Sequence, residues 1–130
     1  MDSKVVIITG VAGGIGAATA KVFREQGWFV VGVDRRKASG KEAPADHFIG
    51  TDVPSQIMEE VRGKFGRLDA LVNNAACQIC KPIVETTAEE WDQIFACNVR
   101  SIHLSVAHGY AMLKESRGAI VNISSVHAVA

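Results

Sequence analysis

Four glycines near the N-terminus form the densest group of residues whose spacing could bind a ligand. They lie in the run Thr9-Gly10-Val11-Ala12-Gly13-Gly14-Ile15-Gly16, directly after an apolar segment. Glycine lets the backbone turn tightly, and the free N–H groups at the start of a helix attract phosphate. Asp34 ends the next apolar segment, 18 residues after Gly16, near the roughly 20 expected for an acid that binds ribose. The pattern predicts a dinucleotide site, although a tight strand-to-helix turn alone would also explain the glycines.

The elements that must position these residues alternate between short apolar runs and helical stretches. The apolar runs predict five strands, at residues 5–9, 29–33, 47–51, 70–73 and 119–123. Helices are predicted at 14–26, 54–64, 87–97 and 98–115, and a loop at 35–46. Gly27 is placed to end the first helix, and Thr87 with Glu90 has the spacing of a capping box. This alternation is typical of a parallel sheet with helices on both faces.

Two sets of apolar side chains are predicted to pack in the core. On the first helix the predicted buried face is Ile15, Ala18, Val22 and Phe23. Trp91 and Phe95, four residues apart, are predicted to anchor a later helix in the core.

The last apolar run, at 119–123, is predicted to be a strand buried on both faces. Only seven residues follow it, too few for an ordinary covering helix. A long apolar strand at a sheet edge would promote aggregation. We therefore expect residues 1–130 to be the N-terminal portion of a single domain in a larger protein.

Composition restricts the partners. The chain has 130 residues, of which 48% are hydrophobic and 22% charged, with 14 Lys and Arg against 14 Asp and Glu. This is a globular composition for one domain, and zero net charge gives no basic field for nucleic acid or an anionic membrane. The first apolar run is far shorter than the roughly 18 residues of a membrane span, and Asp2 is unlike a signal peptide. We expect a cytoplasmic protein with no nucleic-acid or membrane partner.

The cysteines and histidines are weak signals for a metal. Cys77 and Cys80 form a C-x-x-C pair, but Cys97 is distant and no second pair exists. We predict ordinary loop thiols near the cleft, sensitive to thiol reagents, in a reducing compartment. His103 and His108 are five apart, which does not place two ligands on one helix face. They are predicted to be packing or surface residues, with no metal site.

Several segments, in order, resemble motifs of the short-chain dehydrogenase/reductase family. Thr9, Gly10, Gly14 and Gly16 match its phosphate loop T-G-x-x-x-G-x-G. Because Gly13 is also present, the G-x-x-G-x-x-G spacing of the family's extended branch fits as well. The later motifs favour the shorter branch.

Those later motifs follow the fourth strand and continue to the end of the chain. Asn73-Asn74-Ala75-Ala76 resembles N-N-A-G, with Ala76 in place of the usual glycine. Asn98 matches the family's active-site Asn in N-x-x-S, and Ser125 is similar to its catalytic Ser. The resemblance implies a cofactor site formed by Thr9, Gly10, Gly14, Ile15, Gly16, Asp34, Arg35, Asp52, Val53, Asn74 and Ala75. Asp52 and Val53 are the pair implied to contact adenine.

The implied fold is a Rossmann-type doubly wound parallel sheet in the order 3-2-1-4-5, with the cofactor above strands one and four. The implied reaction is hydride transfer between nicotinamide C4 and an alcohol or carbonyl carbon. Ser125 would bond the substrate oxygen, and Asn98 would hold a water that links the family's Lys to solvent. The long helix at 98–115 resembles one that pairs subunits, which implies a homodimer or homotetramer.

In the family a Tyr-x-x-x-Lys motif follows the Ser by about a dozen residues, and the sequence ends at Ala130. Tyr110 and Lys114 have this spacing but precede the Ser, and we interpret them as helix-surface residues. We expect these 130 residues to bind nucleotide without turnover. The alternative is a non-catalytic dinucleotide-binding module of the same fold.

The cofactor preference depends on Asp34. A carboxylate at this position accepts both ribose hydroxyls and repels a 2′-phosphate, which favours NAD. Arg35 and Arg36 follow it, and a guanidinium there could instead receive the phosphate of NADP. They could equally be solvated loop charges. We predict NAD, with NADP the less favoured cofactor.

Overall fold

A five-stranded parallel sheet forms the centre of the molecule in the computed structural model, which describes residues 1–36 and 44–128. Its strands, in spatial order, are β3 (His47–Ile49), β2 (Phe29–Val33), β1 (Val5–Thr9), β4 (Ala70–Asn73) and β5 (Ala119–Asn122). The helices are α1 (Gly14–Glu25), α2 (Pro54–Phe65), α3 (Ala88–Phe95) and α4 (Ser101–Ser116). The predicted parallel fold and its 3-2-1-4-5 order are confirmed. None of the helices described is both long and apolar enough to cross a bilayer.

Alternating side chains of the strands build a buried layer on each face of the sheet. On one face Val6 and Ile8 pack with Ala20 of α1. On the other face Ile7 packs in a cluster that includes Met58 of α2 and Leu113 of α4. Since β1 is central and buried on both faces, its carboxyl end is held firmly in position.

The buried face of α1 differs from the predicted one. Gly16 and Ala20 are buried, and Phe23 packs on the same cluster. Their i, i+4, i+7 spacing puts them on one face of the helix, and the small residues Gly16 and Ala20 let it approach the sheet closely. Of the four predicted core residues only Phe23 packs there, and three are exposed: Ile15, Ala18 and Val22.

Helix and strand ends also differ from prediction. A π-helical turn, Ala96–Arg100, joins α3 to α4, so α4 begins at Ser101. A 3-10 turn that was not predicted precedes α3 at Ile83–Glu85. Strand β3 ends two residues early and β5 one residue early, and most of the predicted loop at 35–46 lies outside the described residues. The predicted capping box at the start of α3 is confirmed.

Two apolar predictions are wrong. Trp91 and Phe95 are 54% and 46% exposed and stack on each other with ring centroids 4.8 Å apart. Neither buried cluster contains a residue of α3, so no face of this helix packs against the core and the two rings stay exposed. All four residues of β5 are exposed rather than buried, since the strand lies at the edge of the described sheet and neither buried cluster extends to it.

Candidate functional site

The carboxyl ends of β1 and β4 are joined by a network around Thr9. Its hydroxyl oxygen accepts hydrogen bonds from the backbone N–H groups of Asn74 and Ala75, each at 3.0 Å. In return, the Asn74 amide nitrogen donates to the carbonyl oxygens of Thr9 at 3.1 Å and Gly10 at 3.3 Å. The glycine loop after β1 (residues 10–13) and the turn after β4 (residues 74–77) are therefore connected by hydrogen bonds.

The glycines of that loop meet different surroundings. Gly10 has φ +68°, and a Cβ there would lie 2.9 Å from the Cα of Ala75. A Cβ on Gly16 would collide with the carbonyl oxygen of Gly10. A Cβ on Gly14, by contrast, would have no atom of the described residues within 4 Å apart from its own helix and chain neighbours, although this residue lines a cleft. Packing within the protein accounts for Gly10 and Gly16 but not for Gly14.

Asp34 lies at the end of β2, buried beside the glycine loop. One carboxylate oxygen accepts from the backbone N–H of Ala12 at 3.0 Å, and the other from that of Arg36 at 3.0 Å. The Arg36 Nε also donates to this second oxygen at 3.4 Å. Burial raises the pKa of Asp34, but the hydrogen bonds from Arg36 and Ala12 outweigh it and hold the pKa below its usual value. The carboxylate is therefore fixed and ionised.

The two arginines after Asp34 take different positions. Arg36 pairs with Asp34, and its guanidinium lies 3.6 Å from where a Cβ of Gly13 would be. Arg35 forms an exposed ion pair with Asp52, with Nε and Oδ2 3.6 Å apart. Arg36 is thus the arginine next to the glycine loop, whereas Arg35 contacts the loop after β3.

A cleft of about 650 Å³ opens above β1 and β4, within the usual size range of small-molecule sites. It is lined by most of the predicted cofactor residues: Thr9, Gly10, Gly14, Ile15, Asp34, Arg35, Asp52, Asn74 and Ala75. Gly16 packs beneath the loop instead, and Val53 is an exposed residue just before α2. The sequence reasoning missed Ser101 and Ser105, whose spacing of four on α4 brings both to the cleft wall.

The two predicted catalytic residues lie apart from the cleft lining. The Asn98 amide forms a pair of hydrogen bonds with the backbone of Cys77, accepting from its N–H at 2.8 Å and donating to its carbonyl at 2.9 Å. Ser125 is exposed after β5, and its hydroxyl accepts from the His127 N–H at 3.2 Å. Asn98 therefore connects the π-helical turn to the turn after β4.

The prediction that Cys77 and Cys80 are ordinary loop thiols is wrong for Cys77. Cys77 and Cys97 form a disulfide with Cα atoms 6.2 Å apart, and only Cys80 is free and exposed. The reason lies in the fold, because the π-helical turn brings Cys97 next to the turn after β4. Among the described residues, no group of His, Cys, Asp or Glu is arranged to hold a metal ion.

The two histidines of α4 and the Tyr110–Lys114 pair lie on the surface. His103 and His108 are both exposed on α4. Tyr110 is 58% exposed, and the Lys114 ammonium lies 6.0 Å from the centre of its ring. Their interpretation as surface residues is confirmed.

The same fold and motifs occur in known proteins. Residues 4–130 match the short chain dehydrogenase family. The chain is 36% identical to a cyclopentanol dehydrogenase of Comamonas sp., covering 98% of this chain and 56% of that protein. It is 33% identical to a meso-2,3-butanediol dehydrogenase of Serratia marcescens, covering 96% and 54%.

Among solved structures, a ligand-free aldohexose dehydrogenase of Thermoplasma acidophilum superposes with a TM-score of 0.87 at 29% identity. The match covers 97% of this chain and 51% of that one. The chain thus spans about half the length of the curated relatives it matches. With the family match extending over nearly all of its residues, this chain belongs to the short chain dehydrogenase family.

Proposed function

We propose that the cleft above β1 and β4 binds a nicotinamide dinucleotide, and that the whole protein is an oxidoreductase acting on a small alcohol or ketone. The observation that carries this proposal is Gly14. It lines the cleft, and among the described residues no atom outside its own helix and chain neighbours lies within 4 Å of the place of a Cβ. A glycine that packing does not require is explained by a ligand that must approach the backbone closely.

The start of α1 fits the pyrophosphate of such a ligand. Gly13 precedes the helix in an extended conformation, and no acidic residue occupies the first turn. The free N–H groups and the positive end of the helix dipole are therefore available to an anion. Arg36, held beside Gly13, adds positive charge at the same place.

The adenosine end is assigned to Asp34. A carboxylate oxygen accepts about two hydrogen bonds, and from the residues that the structure describes the oxygen facing Ala12 accepts one. That oxygen can take a ribose hydroxyl. Because the lowered pKa keeps the group ionised, it also repels a 2′-phosphate, so we propose NAD in preference to NADP.

When bound, the dinucleotide supplies a hydride acceptor or donor at nicotinamide C4. The residues of this chain bind and orient it, while Ser101 and Ser105 offer hydroxyl groups on the α4 wall of the cleft. From the family resemblance we assign Ser125, exposed after β5, to the substrate oxygen, whereas the bonds of Asn98 to Cys77 assign it to organising the turn after β4. The names of the relatives, which are dehydrogenases of small alcohols, support the substrate class.

The first test is a titration of the full-length protein with NADH and NADPH, followed by nicotinamide fluorescence. We expect NADH to bind more tightly, and Asp34→Asn to weaken NADH by about tenfold or more, as for loss of a charged hydrogen bond. Glu59→Gln, an exposed carboxylate change on α2, is the matched control and should bind like the unaltered protein. Equal NADH affinity in Asp34→Asn would contradict the assignment.

The second test is turnover, measured as NADH absorbance with a panel of small alcohols and ketones. We expect oxidation of at least one secondary alcohol by NAD. Tight NADH binding without turnover of any member would favour a binding module instead.

We further propose that the protein is a homodimer or homotetramer that uses α4. The helix exposes Tyr110, and the adjoining π-helical turn exposes Val99 at 57%. Sedimentation of the full-length protein checks this, with Tyr110→Glu expected to weaken the assembly. A monomer at micromolar concentration would refute it.

A further inference from the structure

We propose that the Cys77–Cys97 disulfide is a reversible modification site. It controls the conformational order of the cleft wall that contains Cys77, Ala96 and Cys97, and through that order the affinity for dinucleotide. The second part rests on the function proposed above. Cys77 belongs to the turn after β4, and Cys97 to the π-helical turn. The bond therefore joins the two elements that meet at this wall.

The position of the bond makes it accessible to small reagents. Both cysteines are half-buried, and both line the cleft. A low-molecular-weight thiol can therefore reach the sulfurs from the side on which a ligand would enter. Cys80, three residues after Cys77, is exposed and does not take part in the bond.

The segment that the bond closes has little other attachment. It comprises residues 78–96, and its helix α3 contributes no side chain to either buried cluster. Besides the chain itself, the two hydrogen bonds between Asn98 and Cys77 hold its ends together. An exposed ion pair, Lys81 with Glu90, lies within the segment. Since exposed pairs contribute little, the disulfide is the strongest single constraint on this segment.

The constraint continues into the glycine loop. Asn74, three residues before Cys77, donates its amide to the carbonyl oxygens of Thr9 and Gly10. Order in the turn after β4 is therefore transmitted to the loop that would hold the pyrophosphate. A crosslinked wall is preorganised, and preorganisation lowers the entropic cost of binding.

The chemistry is thiol–disulfide exchange with a low-molecular-weight couple such as glutathione. In oxidation, the Cys77 thiolate attacks the small disulfide and one small thiol leaves. The Cys97 thiolate then attacks this mixed disulfide, forming the Cys77–Cys97 bond and releasing the second thiol. Two electrons and two protons pass to the small molecules in total. Reduction by two thiols is the reverse.

The test equilibrates the full-length protein in buffers of varied ratio of reduced to oxidised glutathione. Alkylation and peptide mass spectrometry then identify the linked cysteines, while amide hydrogen exchange reports the order of residues 78–96. We expect a Cys77–Cys97 link in oxidising buffer, with Cys80 alkylated throughout. On reduction, exchange across 78–96 should become faster and NADH affinity should fall about fivefold or more, the usual lower end of coupling between sites.

Variants separate this link from other cysteine effects. Cys97→Ser and Cys77→Ser should both show the reduced behaviour at every glutathione ratio, whereas Cys80→Ser should respond like the unaltered protein. A Cys77–Cys80 link, no link at any ratio, or equal exchange and affinity in both states would overturn the inference. If NADH binds in neither state while exchange still changes, the proposed function fails and the control of wall order stands.

Discussion

The glycines of the loop after β1 are present for two different reasons. Gly10 and Gly16 are fixed by the protein, since a side chain at either position would meet backbone atoms of its own loop or of Ala75. A side chain at Gly14 would meet none of the described residues outside its own helix and chain neighbours, so its small size matters when a ligand is present. A sequence motif records all of these glycines alike, and only the structure separates the two causes.

Substitution by alanine should therefore lower NADH affinity at Gly14 and protein stability at Gly16. Gly14→Ala should keep the free energy of unfolding within about 1 kcal/mol of that of the unaltered protein, because alanine is only about that much better than glycine as a helix former. NADH affinity should fall about tenfold, or 1.4 kcal/mol, because the methyl group occupies ligand space. Gly16→Ala should lower stability by about 1–3 kcal/mol through overpacking. Urea denaturation and NADH titration measure both, and unchanged affinity in Gly14→Ala would contradict a phosphate site here.

Arg117 ends α4 in the left-handed region, with φ 52°. An L-residue there costs about 1–2 kcal/mol, and glycine avoids most of this cost. We expect Arg117→Gly to raise the free energy of unfolding by up to about 1 kcal/mol. The matched comparison is Gly66→Ala at the end of α2, where φ is +70° and the space is open. It should lower stability by a similar amount, and the same sign for both changes in thermal melts would be inconsistent with this explanation.

At the level of elements, aspartates fix the starts of the central strands. Asp69, just before β4, accepts from the Val5 N–H at 2.8 Å. Its oxygens also receive two bonds from Arg67, at 2.8 and 2.7 Å. Asp46, just before β3, accepts from the Val30 N–H at 2.8 Å in the same manner. These contacts set the register of neighbouring strands at the end of the sheet opposite the cleft.

The Asp69 contacts predict a pH-dependent stability. Burial raises the pKa of Asp69, but the bonds from Arg67 and Val5 outweigh it and leave the pKa below its usual value. A lowered pKa means that the stabilisation is complete above the unfolded value and is lost as pH falls through the folded one. Asp69→Asn should cost about 1–3 kcal/mol at pH 7, and the difference from the unaltered protein should shrink below pH 4.

Glu25→Gln is the control for this measurement. Its pair with Lys21 is exposed on both sides and should contribute less than about 0.5 kcal/mol. Chemical denaturation at several pH values compares the two variants. A difference for Asp69→Asn that stayed constant down to pH 2 would rule out this linkage.

The sequence predicted the strands and their order well because each strand is a short apolar run between turn signals. It failed where burial depends on a neighbour. The α1 pattern contained two apolar stripes, and the choice between them was decided by how closely Gly16 and Ala20 approach the sheet. Likewise, Trp91 and Phe95 have core spacing on a helix that contributes nothing to either buried cluster.

Across the whole molecule, the cleft was predictable in its cofactor half and less so elsewhere. Parallel strands place their carboxyl ends at one edge, so Thr9, Asp34 and Asn74 had to lie close together. The Cys77–Cys97 bond could not be predicted, since it depends on the π-helical turn, which has no reliable signature in sequence. The same turn directs the Asn98 amide toward backbone rather than into the cleft.

The Thr9 hydroxyl has one more consequence, for how these loops fluctuate. The backbone N–H groups of Asn74 and Ala75, in the turn after β4, both donate to this one oxygen atom. Opening of either segment therefore breaks both hydrogen bonds at once. Deuterium uptake at positions 74 and 75 should thus proceed with a common rate constant. Thr9→Ser should keep the common rate constant. Thr9→Val, similar in shape but without the hydroxyl acceptor, should leave the two segments joined by the Asn74 amide bonds alone, and the rates at 74 and 75 should then differ.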